Sequence, residues 1–161
     1  MSLFNRRTLL ALPLALAACG FTPVYGPEGA GTRLRNQVLV QEPSTQSGYL
    51  LTRHLETQLG RSGSNPRYGL DIDIATYENG LAINSAGDTV RFNLVGRVAY
   101  ALRDTTTGTI VTSGKIENFT AYSAIGTTVA TLAAERDALE RLMVILGDQI
   151  TTRLYVVDLP E

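Results

Sequence analysis

Cys19 and His54 are the only thiol and the only imidazole in this chain. A zinc site of the usual Cys/His kind needs more such ligands than that, so zinc chemistry of this kind is excluded. With a single cysteine, no intrachain disulfide can form. Carboxylates and guanidiniums remain. Asp71 and Asp73 stand two apart in "GLDIDIAT", which puts both on one face of a strand. Such a pair can hold a cation or work as an acid/base couple in a hydrolase, but nothing nearby supplies a third ligand, and a solvated strand face is the simpler reading. His54 falls beside Leu51 and Leu55 with no serine or cysteine companion, so it reads as a boundary histidine. "GRSGSN" (60–65) is glycine-rich but lacks the Lys-Ser/Thr and the preceding strand of a phosphate loop. No catalytic residue, metal site or cofactor is assigned.

A stronger pattern is basic. Arg91, Arg97 and Arg103 fall on one face of the alternating run 89–104, and Lys115 follows on the next strand. Guanidinium forks match phosphate oxygens, so this row is a candidate contact for phosphorylated or acidic groups. Plain solubility is the alternative. The threonine-rich tip at 104–109 is a second candidate, because exposed loops on a rigid scaffold often carry binding.

Periodicity supplies the scaffold. "NQVLVQE" (36–42) reads as a short first strand, and "PSTQSG" (43–48) as turn and cap chemistry. Leu51, Leu55 and Leu59 recur every four residues in a helix over 49–63. Residues 67–78 alternate strictly, 79–88 is turn-rich, 89–104 is a long strand, 105–108 a hairpin turn and 109–123 the return strand, with Gly114 expected to mark a bulge. Residues 131–157 form a long helix with an apolar stripe of Leu132, Leu139, Leu142, Met143, Leu146, Ile150 and Leu154. Its polar side is expected to pair Arg136 with Glu140 and Asp137 with Arg141. The order β-α-β-β-β-α implies an α+β fold. Both helices would pack on one face of a four-stranded, mostly antiparallel sheet, giving a two-layer α/β sandwich.

The N-terminus reads as an address. Arg6 and Arg7 precede the apolar "TLLALPLALAA", which falls short of the ~20 residues a spanning helix needs. Leu16-Ala17-Ala18-Cys19 then resembles a bacterial lipobox, in which the cysteine is acylated and becomes the first residue. Two or more acyl chains give stable membrane anchoring where one is marginal. Gly20 follows Cys19 where aspartate would be the retention signal of enterobacterial sorting, which favours the outer membrane. "NRRTLL" resembles a twin-arginine signal only faintly, and both export routes stay open. The expected organisation is a signal peptide at 1–18, a lipidated tether at 19–35, extended rather than helical because it is rich in Gly and Pro, and one domain at 36–161.

Composition agrees with a folded domain of ordinary surface: 44% hydrophobic and 18% charged residues. Removing Arg6 and Arg7 with the signal leaves 12 basic against 15 acidic residues, a net charge of −3. A general nucleic-acid binder needs a basic surface, so nucleic acid is not an expected partner.

The lipobox followed by "CGFTPVYG" (19–26), a short strand, a helix, three strands and a long terminal helix resembles the LptE family of lipopolysaccharide-assembly lipoproteins in alphaproteobacteria. The resemblance implies a non-enzymatic, outer-membrane lipoprotein with a two-helix, four-stranded sandwich. Its partners would be the large β-barrel LptD, which it plugs and helps assemble, and lipopolysaccharide. By the same resemblance Arg91, Arg97, Arg103 and Lys115 become candidate lipopolysaccharide contacts. The competing reading is a periplasmic lipoprotein that serves as an auxiliary subunit of another envelope transport complex.

Overall fold

Alternation of apolar and polar residues builds the sheet. In the computed structural model, which describes residues 23–27 and 29–160, four strands run β1 (Val38–Val40), β2 (Tyr68–Ile83), β3 (Thr89–Asp104) and β4 (Ile110–Ser123). They lie side by side in that order. β1 is parallel to β2, and β2, β3 and β4 form an antiparallel meander. Cys19 and the signal at 1–18 lie outside the described residues.

Three helices complete the described residues: α1 (Ala30–Leu34), α2 (Gln46–Leu59) and α3 (Thr128–Tyr155). α2 starts where the Thr45 hydroxyl accepts the Gly48 N–H, and α3 where the Thr127 hydroxyl accepts that of Ala130. Each cap satisfies an amide that has no partner within the helix. α3 lies on β3 and β4, and α2 packs between α3 and β1, all on one side of the sheet. The α/β sandwich implied by the sequence is the observed architecture.

Even-numbered strand residues face the helices. Leu70, Leu102, Val98, Leu94 and Ile116 form one core with Leu51, Leu55 and Leu59 of α2 and Leu142, Met143, Leu146, Ile150 and Leu154 of α3. Each fully buried leucine contributes about 1.5–3 kcal/mol. Two glycines set the spacing of the layers. A Cβ on Gly96 would lie 2.8 Å from Leu146 Cδ1 and 3.0 Å from Leu142 Cδ2, so a bare backbone lets α3 settle onto β3. A Cβ on Gly114 would lie 2.8 Å from the hydroxyl of Tyr100, its partner in register.

Several local expectations are corrected. Gly114 marks no bulge; it makes room for Tyr100, and the β3–β4 register shift lies between Leu102 and Arg103. The lead-in expected to be extended closes into α1, because Leu34 is fully buried in the core and its burial outweighs the poor helix propensity around it. β2 continues to Ile83, well past 78. The turn is confined to the residues from Asn84 to Asp88, where the Asn84 side-chain oxygen accepts the N–H groups of Ala86 and Asp88 and Gly87 takes a positive φ. Leu132 is exposed, ahead of the fully buried run of α3 that starts at Ala138. Glu140 pairs with Arg53 across to α2, at 2.7 Å, rather than with Arg136, while Asp137 and Arg141 pair at 2.9 Å as their spacing implies.

Candidate functional site

Among the described residues, the helices leave the opposite face of the sheet uncovered. Odd-numbered residues point there, and cross-strand register decides which of them meet. Arg91, Arg97, Arg103 and Lys115 all stand on this open face, and all are exposed.

Their surroundings differ. Arg97 lies opposite Glu117 in register, and the two form an ion pair. The Arg97 guanidinium also sits 5.0 Å from the centre of the Tyr77 ring. Hydrogen bonding to Glu117 and its negative charge raise the pKa of Arg97 above the ordinary arginine value. Arg103 donates to Asp71 at 2.5 Å, so one of the two strand aspartates is engaged by a cation. Asp73 and Lys115 share the row through Ala99 but stand two strands apart, about 9–10 Å. Neither Arg91 nor Lys115 has an ion-pair partner among the described residues.

The face therefore has two zones. Near the β2 start it is charged and largely self-neutralised, through Asp71, Arg103, Arg97 and Glu117. Further along β2, Tyr77, Val95 and Phe119 form one row across three strands, with Phe119 59% exposed. Beyond them Arg91 lies between Ala82 and Ser123 in register. Leu81, Ile83 and Ile125 stand exposed at the same end of the sheet. Ala124 N–H still bonds to Val90 O there, so Ile125 leaves the sheet beside β3. A guanidinium without an ion-pair partner among the described residues, at the end of the sheet that also exposes Leu81, Ile83 and Ile125, suits an amphiphile with an anionic head and acyl chains.

The other candidates are structurally occupied. His54 Nε2 lies 2.7 Å from Asp148 Oδ1 on α3, and a Cβ on Gly147 would lie 2.6 Å from the His54 ring. The imidazole thus ties α2 to α3. At the 104–109 tip the buried Asp104 carboxylate accepts the N–H of Thr106 at 2.8 Å and of Thr107 at 3.1 Å. Those amide bonds, Thr107's first, hold its carboxyl below the usual aspartate range. Thr105 donates to Pro66 O, so the tip is pinned to the chain entering β2. Inside the sandwich, burial and then the hydrogen bond to Glu78 push the Tyr122 phenol above the ordinary tyrosine value. No helix of the described residues is long and apolar enough to cross a membrane.

The model of the LptE lipopolysaccharide-assembly family matches residues 35–154, most of the folded domain.

The chain belongs to the LptE lipopolysaccharide-assembly family.

Solved structures share the fold. A candidate lipoprotein from Caulobacter crescentus is 25% identical, with a TM-score of 0.65 over 78% of this chain and 92% of that one. Lipoprotein B from Nitrosomonas europaea is 20% identical, with a TM-score of 0.56 over 73% of this chain and 81% of that one. Rare lipoprotein B from Shewanella oneidensis is 14% identical, with a TM-score of 0.54 over 73% and 91%. The last two share the fold with this LptE-family chain. Comparison with curated protein sequences gave no match.

The alternation of residues 89–104 was enough to put the arginines on one face. It gave no sign that Glu117 and Asp71 would neutralise two of them, because that depends on the pairing of β2 and β4 with β3. The apolar end of the face was also missed, since Leu81 and Ile83 lie in a stretch that reads as a turn.

Proposed function

We propose that this LptE-family chain is a non-enzymatic outer-membrane lipoprotein, anchored through acylated Cys19 after removal of residues 1–18. It plugs and helps assemble an LptD-like β-barrel and takes part in delivering lipopolysaccharide to the outer membrane. The observation that carries this reading is the family match across residues 35–154. The lipobox ending at Cys19 supports the anchor, and Gly20 supports the outer-membrane address.

The open sheet face supports the lipid part of the role. Lipopolysaccharide combines phosphate and carboxylate groups with acyl chains. Arg91, the one arginine of the row without an acidic partner among the described residues, lies at the end of the sheet where Leu81, Ile83 and Ile125 are exposed. Arg97, Arg103 and Lys115 extend the cationic row toward the polar zone. Arg97 and Arg103 must exchange their carboxylate partners for phosphate in order to contribute.

The test is binding of lipopolysaccharide by the purified full chain. Replacing Arg91, Arg97 and Arg103 together by serine weakens binding and leaves the circular-dichroism spectrum unchanged. Undiminished binding by that variant contradicts the assignment of the face.

A further inference from the structure

The two edges of the sheet are finished differently. On β4, the outward Lys115 carbonyl accepts Arg153 Nη1 at 3.2 Å, and the Ala121 carbonyl accepts Arg141 Nη2 at 3.4 Å. The outward Phe119 N–H is taken by Asn118 Oδ1 at 2.8 Å. Side chains thus occupy groups that would otherwise recruit another strand. β2 forms the other long edge, and β1 covers only Tyr68, Gly69 and Leu70 of it. Gln41 extends that cover by one amide, its Oε1 accepting the Ile72 N–H at 2.9 Å.

Beyond Ile72 the edge has no strand partner among the described residues. Tyr68 and Leu70 exchange backbone bonds with the β1 side, so even-numbered β2 residues present N–H and C=O outward. Ile74, Thr76 and Glu78 continue that series with no partner strand on this side among the described residues, and Thr76 and Glu78 are exposed. The edge opens beside a groove of about 340 Å³ lined by Gln41, Glu42, Pro43, Thr45, Asp73 and Ile74, among others. Glu42 and Asp73 are acidic, and the groove lining contains no basic residue. From Asp71 to Gly80 the strand carries three acidic residues and no lysine or arginine.

We propose that the β2 edge from Ile74 to Glu78 is a docking site for an extended, basic strand of a partner polypeptide, which joins the sheet by backbone pairing. Main-chain bonds supply the fit, and the lysine or arginine side chains of the added strand meet Asp73 and Glu42. This site is separate from the arginines of the open face, and its readout does not depend on lipopolysaccharide binding.

The test uses the isotope-labelled full chain in neutral detergent and a short capped peptide that alternates lysine with valine. The amide signals of Ile74, Thr76 and Glu78 shift on titration, and their hydrogen exchange slows roughly tenfold. Two controls abolish the effect: the same peptide N-methylated at alternate amides, and a peptide alternating glutamate with valine. In the protein, Thr76→Pro removes one outward N–H without touching the β2–β3 ladder, and Asp73→Lys reverses a charge; both weaken binding. The proposal is overturned if the lysine peptide leaves these amides unchanged, or if the N-methylated or glutamate peptide acts equally. It is also overturned if the amides are already protected by self-association, which would make a second copy the occupant.

Discussion

Arg97 on β3 and Glu117 on β4 stand opposite each other in register and neutralise one another on the open face of the sheet. Asp71 does the same for Arg103. The row that alternation marks as uniformly basic is thereby divided into engaged and available cations.

The arginines should therefore be unequal in lipopolysaccharide binding. Arg91→Ser removes a cation without an acidic partner among the described residues and should weaken affinity roughly tenfold. Arg103→Ser should weaken it less, because Arg103 is engaged by Asp71 and must give up that partner before it can meet a phosphate. Titration of each single variant with lipopolysaccharide checks the order, and equal losses would argue against the division of the face.

Layer spacing rests on Gly96 beneath α3. Gly96→Val pushes a side chain into Leu142 and Leu146 and should destabilise the fold by about 1–3 kcal/mol. Urea unfolding measures the difference. A variant as stable as the parent would mean that α3 can lift from β3 without loss.

α1 belongs to the core despite its glycine-rich surroundings. Leu34→Ala should cost about 2–5 kcal/mol, because Leu34 is fully buried. Leu39→Ala, at a side chain 53% exposed, should stay within about 0.5 kcal/mol of the parent. The same unfolding experiment compares them.

Asp104 links stability to acid. Its folded pKa is depressed, so its contribution is present above the ordinary aspartate range, about pH 4, and is lost as pH falls through the folded value. Asp104→Asn should lower the melting temperature near neutrality and flatten its decline in acid. Thermal melts of parent and variant across that range give the comparison, and parallel curves would contradict the role.

Much of the architecture is legible in the sequence for physical reasons. β3 is observed over the span its alternation marks, because six apolar side chains on one face leave no second register. α3 is equally clear in its stripe from Leu142 to Leu154. Legibility fails where tertiary contact decides. Leu34 makes a helix of a segment whose glycines read as a tether, and Tyr100 fills the space that makes Gly114 look like a bulge. For the site, alternation locates Arg91, Arg97, Arg103 and Lys115 on one face but cannot say which are neutralised. That depends on residues brought opposite by the β2–β3 and β3–β4 registers, twenty or more positions away in sequence.

Co-purification tests the central claim most directly. The full chain, tagged at its C-terminus and solubilised with detergent from outer membranes, should bring down a large β-barrel protein in near-equal amount, and Cys19→Ala should reduce its recovery from that membrane. Recovery of the tagged chain without a barrel, or with a different envelope transport complex, would contradict the account.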